Sequence, residues 1–172
     1  MQLTVQEWMN ITAQPNAELV GSSVSGISSA FAASLAHKAC LLSAKKNKTI
    51  NWEKLAAISL SLQDHFIDII GKDKLAFSQY LNSKNNPAQR LKVQLSIADN
   101  LILLMDYNIQ LIHLSEQALP HSNIFLKSDF LIVCQLAKAG FYGANALLDS
   151  DLKTFKNFPQ GAEYQQQANR AY

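Results

Sequence analysis

The segment 21–44 reads GSSVSGISSAFAASLAHKACLLSA and decides the fold of this chain. Glycine, alanine and serine fill most of its positions, so the helix that it predicts is thin on nearly every side. We expect this helix to run from Ser22 or Ser23, either of which can cap it, to about residue 44. Because the spacing of packed helices depends on the side chains between them, neighbouring helices can approach this one closely. The segment therefore predicts a buried central helix.

Two long amphipathic helices are predicted after this segment, because apolar residues recur there at three- and four-residue steps. The first should cover residues 52–81, as one long helix or two stacked ones, with Asn51 as its cap. The second should cover residues 88–119, after Asn86 as cap and Pro87 at the first helical position, where the missing N–H group of proline costs nothing. Both helices are long enough to span a domain.

Three further helices complete the expected fold. Thr4 and Glu7 have the spacing of a capping box, which predicts a short helix over residues 5–11. Ser128 and its neighbour open a fifth helix that should end near residue 148. The polar tail suggests a terminal helix over residues 163–172. No alternation typical of strands occurs, so we predict an all-α, multi-helix up-and-down bundle around the small-residue helix, with residues 1–172 as one domain.

Composition excludes several classes of partner. The net charge is only +2 and the basic residues are scattered, so a nucleic-acid partner is not expected. The stretch 24–42 approaches the length of a membrane span, but Ser25, His37 and Lys38 interrupt it, so a membrane partner is not expected either. The N-terminal residues do not have the pattern of a signal sequence, and both cysteines lie in helical patterns. These two observations predict a cytoplasmic protein with reduced thiols.

Metal and nucleotide sites have no support in the sequence. A di-iron bundle needs Glu-x-x-His pairs, whereas His113 and Glu116 occur in the reverse order. No nucleophile elbow, no Gly-rich phosphate loop with a lysine and no Cys-x-x-Cys occurs. We therefore expect no metal and no cofactor.

Polar groupings in three places remain as candidate sites, and each also has a purely structural interpretation. Gly21, Ser22 and Ser23 form an ordinary helix start. The acidic Asp73 near Phe77 is typical of a solvated helix residue. The third grouping is Asn123 with Ser128 and Asp129, which would also serve as a helix cap.

In this order and spacing the groupings resemble the cyclodeaminase/cyclohydrolase family. This is the all-helical domain that closes formiminotransferase-cyclodeaminase and also exists alone as methenyltetrahydrofolate cyclohydrolase. The similarity covers about residues 3–155, including the Gly-Ser-Ser-Val-Ser-Gly start of the small-residue helix and an Asp-x-x-Ala-Phe pattern at residues 73–77. The resemblance implies a helical bundle, usually a homodimer, that binds a reduced folate as substrate and either expels ammonia from its formimino form or opens its methenyl ring with water.

The resemblance also implies roles for the candidate residues. Asp73 matches the acidic residue assigned to catalysis, and a half-buried carboxyl beside Phe77 would have the raised pKa that acid/base work at neutral pH requires. The turn at residues 21–23 and the third grouping, which forms a second turn at Asn123, Ser128 and Asp129, match substrate-binding turns, where a helix N-terminus suits anionic or carbonyl groups. Aspartate in the second turn would hydrogen-bond the amide and amino edge of a pterin.

Departures from the family pattern leave a second function open. The usual triple glycine before the serine is reduced to Gly21, and asparagines of the family are replaced by Leu147 and Asp151. The alternative is a diverged, non-catalytic helical bundle that acts as a folate-binding or protein-interaction module.

Overall fold

The chain forms a bundle of long α-helices in the computed structural model, which describes residues 4–15, 21–46, 48–154, 164 and 166. Its helices are α1 (Val5–Thr12), α2 (Gly21–Ala44), α3 (Trp52–Asn82), α4 (Pro87–Ala118) and α5 (Ile124–Thr154), with a 3-10 turn at Leu119–His121. No strand occurs in the described ranges, and the prediction of an all-α bundle is confirmed. The terminal helix expected at 163–172 lies outside the described residues, except for Tyr164 and Gln166, which are helical.

Local capping signals mark three helix starts as predicted. At α1 the Glu7 carboxylate accepts a hydrogen bond of 2.6 Å from the Thr4 backbone N–H, completing the capping box. The Asn51 side chain accepts a hydrogen bond of 2.9 Å from the Lys54 N–H group at the start of α3. Asn86 caps α4, and proline occupies the first helical position after it. Each of these contacts joins residues only three positions apart, so the sequence alone identifies them.

Two other helix starts differ from the prediction. Helix α2 begins at Gly21, so Ser22 and Ser23 lie inside its first turn and are buried rather than capping it. Helix α5 begins at Ile124, because the Asn123 side chain accepts a hydrogen bond of 3.1 Å from the N–H group two residues later. Ser128 and its neighbour therefore lie in the second turn. At its other end α5 continues past residue 148 to Thr154.

Helices α2 to α5 run alternately up and down and close into a ring of four. Helix α2 packs against α3 and α5, while α4 packs against the other side of the same two helices. Aromatic and aliphatic side chains fill the space between them, with these fully buried examples: Trp52, Phe66, Leu101, Leu104, Met105, Leu111, Phe130, Val133 and Leu148. This core holds the helix ends, where the candidate site residues lie, in fixed positions.

Glycines, which have no side chain, let α2 and α5 approach closely in antiparallel register. A Cβ atom added at Gly140 would overlap the Ser29 hydroxyl, and one added at Gly143 would overlap the Ser25 hydroxyl. On the opposite flank of α2, a Cβ atom at Gly26 would lie 2.6 Å from the Ile70 side chain of α3. The small residues of α2 and α5 thus set the spacing of three helices.

One side of α2 stays exposed in the single chain. Val24, Phe31 and Leu42 follow each other at intervals of whole helical turns and are 45%, 56% and 38% exposed. We call these three residues the α2 apolar face. Helices α2 and α5 are also long and apolar enough to cross a membrane by length and composition alone, a property that core helices of soluble proteins share.

Candidate functional site

Asp73 meets the start of α2 at one end of the bundle. The Ser22 hydroxyl donates a hydrogen bond to the Asp73 carboxylate, and both side chains are buried, Asp73 being only 3% exposed. The antiparallel register produces this contact, because Ile70 packs on Gly26 and the next turn of α3 reaches the previous turn of α2. A carboxyl group and a hydroxyl group thus share an interior position near a helix N-terminus.

Burial controls the electrostatics of this carboxyl group. Removal from water raises the pKa of Asp73, and the hydrogen bond from Ser22, which favours the charged form, lowers it in part. No ion pair with Asp73 occurs among the described residues, since the ion pairs there involve other acids. A group of this kind can accept or donate a proton closer to neutral pH than an exposed aspartate can.

A second carboxyl group, missed as a site residue by the sequence analysis, lies at the same end. Burial and the negative charge of Asp73 raise the pKa of Asp151 to about 6. The phase of α5 is the signal that would have identified it, because the buried residues Phe141, Ala144 and Leu148 recur at three- and four-residue steps. Residue 151 is the next position on that inward side, but the predicted helix ended too early to include it.

The other residues of the first two groupings surround this end. The Ser23 side chain is fully buried, and its hydroxyl oxygen forms no hydrogen bond within the described part of the chain. Phe77 is half-buried one turn after Asp73 on α3. Gly21 is exposed, and a Cβ atom there would lie 3.4 Å from the Leu147 side chain of α5. The structure therefore brings the first two sequence groupings together.

The third grouping lies at the opposite end of the bundle. The ring of Phe130 stacks with that of Trp52 at the start of α3, with 6.2 Å between centroids. At roughly 1.5 Å per helical residue, Asp73 lies about 30 Å further along α3. Asn123 and the Ser128–Asp129 pair are at the Trp52 end, so a single chain does not bring them to Asp73.

Near that opposite end the surface has a pocket of about 180 Å³. It is lined by Ala44, Lys48, Ile50, Asn51, Trp52 and Glu53. Across residues 4–15, 21–46 and 48–154 with 164 and 166, no three histidine, cysteine, aspartate or glutamate side chains are grouped as metal ligands.

Fold and site together define a class of protein: an antiparallel all-α bundle with a buried aspartate bonded to a serine in the first turn of a small-residue helix. The family model described as formiminotransferase-cyclodeaminase matches residues 4–170, and the chain belongs to this family. Among curated proteins, none matches the sequence.

The same fold occurs in a solved structure, the crystal structure of formiminotetrahydrofolate cyclodeaminase from Thermotoga maritima. The two folds superpose with a TM-score of 0.91, covering 99% of this chain and 88% of that one. Sequence identity is 18%, so the likeness shows the fold alone.

Proposed function

We propose that the protein is an enzyme of one-carbon folate metabolism, acting as a formiminotetrahydrofolate cyclodeaminase or a methenyltetrahydrofolate cyclohydrolase. The observation that carries the proposal is the buried Asp73 carboxyl group bonded to Ser22. Membership of the formiminotransferase-cyclodeaminase family supports the substrate class. Tetrahydrofolate derivatives are the substrates in this proposal, and no further cofactor or metal is required.

Both reactions depend on proton transfer, for which Asp73 is suited. Ring closure with loss of ammonia removes a proton from the amine nitrogen that closes the ring, and ring opening removes one from water. Both reactions also involve the methenyl form, as the product of one and the substrate of the other, and its bridging N–C–N group is a cation. A carboxylate at this point accepts the proton and stabilises the positive charge in a buried site, where electrostatic interactions are strong.

Neighbouring residues take the binding roles. Ser22 orients the Asp73 carboxylate through its hydrogen bond, and Ser23 offers a buried hydroxyl group without another partner in the described residues. Gly21 leaves space at the N-terminus of α2, where N–H groups suit a carbonyl or anionic part of the substrate. Phe77 supplies an aromatic surface for the flat pterin ring.

A homodimer is part of the proposal, because one chain separates the third grouping from Asp73. Asn123, Ser128 and Asp129 reach a substrate at Asp73 only if a second chain contributes them or if the substrate extends across an interface. The α2 apolar face supports such an interface, since contiguous exposed apolar side chains mark association surfaces. Sedimentation or mass photometry should therefore show a dimer, and Phe31→Asp should weaken it.

One spectroscopic assay tests the enzyme and separates the two reactions. The methenyl form absorbs in the near ultraviolet and is the product of one reaction and the substrate of the other. Absorbance that rises with the formimino substrate identifies a cyclodeaminase, and absorbance that falls with the methenyl substrate identifies a cyclohydrolase. Asp73→Asn should reduce the rate at least about 100-fold, the size expected for loss of an acid/base group.

The matched control for this variant is Asp68→Asn on the same helix, where the carboxylate is exposed and paired with Lys72 at 2.6 Å. This control should keep the wild-type rate. An Asp73→Asn protein with unchanged turnover would refute the catalytic role.

A non-catalytic folate-binding or protein-interaction module is the second candidate. The large exposed side chains Ile124 and Phe125, 74% and 82% exposed at the start of α5, favour an interaction role. Such a module predicts that a reduced folate raises the melting temperature by binding the native state, without turnover. In either case we propose a cytoplasmic protein without membrane or nucleic-acid partners.

A further inference from the structure

Asp151 reaches the Asp73 site from a third helix. The Leu147 side chain lies over Gly21 at the start of α2, and Asp151 follows it one turn later on the same side of α5. Ser22, the neighbour of Gly21, is bonded to Asp73. Two carboxyl groups, one from α3 and one from α5, therefore converge on the first turn of α2.

The two carboxyl groups have different surroundings. Asp73 accepts the hydrogen bond from Ser22, which favours its charged form. Asp151 has no hydrogen bond of this kind among the described contacts, and it faces the negative charge of Asp73, which favours its protonated form. Because the charges of two neighbouring carboxyl groups affect each other, the pair titrates as a unit, and its second proton, favoured on Asp151, is lost at about pH 6.

No other charged group in the described residues neutralises this pair. The adjoining part of α2 contributes glycine and serines. On α3, Lys72 is paired with Asp68 and Lys74 is exposed; on α5, Lys153 is paired with Asp149. On α4, Lys92 is exposed, Arg90 donates to Tyr80, and Asp99 accepts from Tyr164.

We propose that Asp151 is the acid partner of Asp73, so that the site presents a proton donor and a proton acceptor at once. The inference rests on the proposed function and deepens it, since it adds a second catalytic residue to the same site. It also gives a role to the part of α5 beyond its predicted end. Without such a role, placing the Asp151 carboxyl group beside that of Asp73 would only cost free energy, because like charges repel.

In the cyclodeaminase reaction the two groups divide the proton transfers. The secondary amine nitrogen that does not carry the formimino group forms a bond to the formimino carbon, which closes the ring, and gives its proton to Asp73. The electron pair of the carbon–nitrogen double bond moves to the imino nitrogen, which takes a proton from Asp151. The carbon–nitrogen bond to this amino group then breaks, and the departing nitrogen takes the proton from Asp73 and leaves as ammonia. Asp151 regains a proton from solvent, so one proton is consumed for each ammonia released.

In the cyclohydrolase reaction the same pair works on water. The water oxygen bonds to the methenyl carbon, and one water proton goes to Asp73. As the ring carbon–nitrogen bond breaks, its electron pair stays on the nitrogen, which takes the proton of Asp151. The second water proton is released to solvent as the carbonyl forms. Transfer of the proton from Asp73 to Asp151 resets the pair.

Carboxyl-carbon NMR titration tests the pair without any folate. In protein labelled with ¹³C-aspartate, Asp151→Asn should lower the apparent pKa of Asp73 by about one unit, and Asp73→Asn should lower that of Asp151 similarly. Asp149→Asn, on the same helix but paired with Lys153, is the control and should change neither. Titrations of Asp73 and Asp151 that stay unchanged in each other's variants would overturn the pairing. The two reciprocal variants keep the test usable if one of them fails to fold.

Kinetics test the acid role. Asp151→Asn should lower kcat at least about tenfold with little change in KM and should remove the alkaline limb of the pH profile, while Asp151→Glu should restore part of the rate. If Asp73→Asn is inactive but Asp151→Asn keeps the wild-type rate and pH profile, the acid role is overturned and the proposed function stands. If the wild-type protein turns over no folate, the acid role falls with the proposed function.

Discussion

The hydroxyl group of Ser22 on α2 donates a hydrogen bond to the carboxylate of Asp73 on α3, although the two residues are 51 positions apart in the chain. This contact joins two helices at the point where burial makes a charge expensive. A hydrogen bond to an ionised group is worth about 1.5–3 kcal/mol, so it offsets part of that cost. The contact therefore affects both stability and acid/base behaviour.

Removal of the hydroxyl group should expose this dual effect. Ser22→Ala should lower the free energy of unfolding at pH 7 by about 1–2 kcal/mol, because the buried Asp73 charge loses its donor. At pH 4 the loss should be smaller, because the raised pKa of Asp73 leaves a larger share of its carboxyl group protonated there than at pH 7. Urea denaturation at the two pH values measures it, with the exposed Ser96→Ala as control. An equal loss at both values would show that Ser22 contributes through packing alone.

The raised pKa values of Asp73 and Asp151 predict that stability depends on pH with a definite sign. Since the folded protein binds these protons more tightly than the unfolded chain, this contribution is full below about pH 4 and is lost as pH rises through about 6. For the partly exposed Asp151 the loss should amount to about 1–2 kcal/mol, discounted for screening by solvent.

Chemical denaturation between pH 4 and pH 7.5 checks this slope. Asp151→Asn should flatten it and stabilise the protein at neutral pH, whereas Asp149→Asn should leave it in place. Stability that rises over this range by the same amount in wild type and Asp151→Asn would contradict the prediction.

Replacing a glycine of the bundle by alanine should change the stability of the protein in opposite directions at two positions. Gly140→Ala should destabilise the protein by about 1–3 kcal/mol, because the added methyl group overlaps the Ser29 hydroxyl and overpacks the α2–α5 contact. Gly71→Ala should stabilise it by roughly 0.5–1 kcal/mol, since its Cβ position has nothing within 4 Å and alanine favours a helix. Thermal unfolding of the two variants gives the comparison. A stable Gly140→Ala protein would mean that the helices separate easily.

The two thiols should differ in reactivity. Burial raises the pKa of Cys40 to about 12, so its thiolate is scarce and its sulfur enclosed. Cys134 is half-buried, and burial raises its pKa too. A thiol reagent at pH 8 should label Cys134 slowly and Cys40 only after denaturation. Labelling of native Cys40→Ser at the slow wild-type rate would confirm that the reactive group is Cys134, and labelling of both thiols in the native wild type would contradict the burial of Cys40.

Sequence analysis predicted the helices wherever the deciding contacts are local. Thr4 with Glu7, Asn51 and Asn86 each bond to a backbone or side-chain group three residues away, and their helices begin where expected. At α5 two nearby candidates competed, and Asn123 rather than Ser128 caps the helix. Propensity alone does not rank such neighbouring caps.

The candidate site was only half predictable for a geometric reason. Motif order brought Asp73 and Ser22 to attention, but the distance between them and Asn123 depends on the antiparallel register of four helices. The sequence marked Asp151 only as a departure from the family pattern, and its approach to Asp73 became visible when α5 proved to continue beyond residue 148. Contacts between residues far apart in sequence decide both the helix register and the end of α5. The spacing of residues along the chain does not reveal such contacts.

The contacts at Gly140 and Gly143 set the spacing of α2 and α5 and therefore the distance between Asp73 and Asp151. Since α5 lies against α2 with no side chain from either glycine between them, any widening of that gap swings Asp151 away from Asp73. The same two positions are therefore constrained by folding and, under the proposed mechanism, also by chemistry. In relatives that no longer catalyse proton transfer, only the folding constraint would apply. Larger residues at these glycine positions would then be the first sequence change to appear.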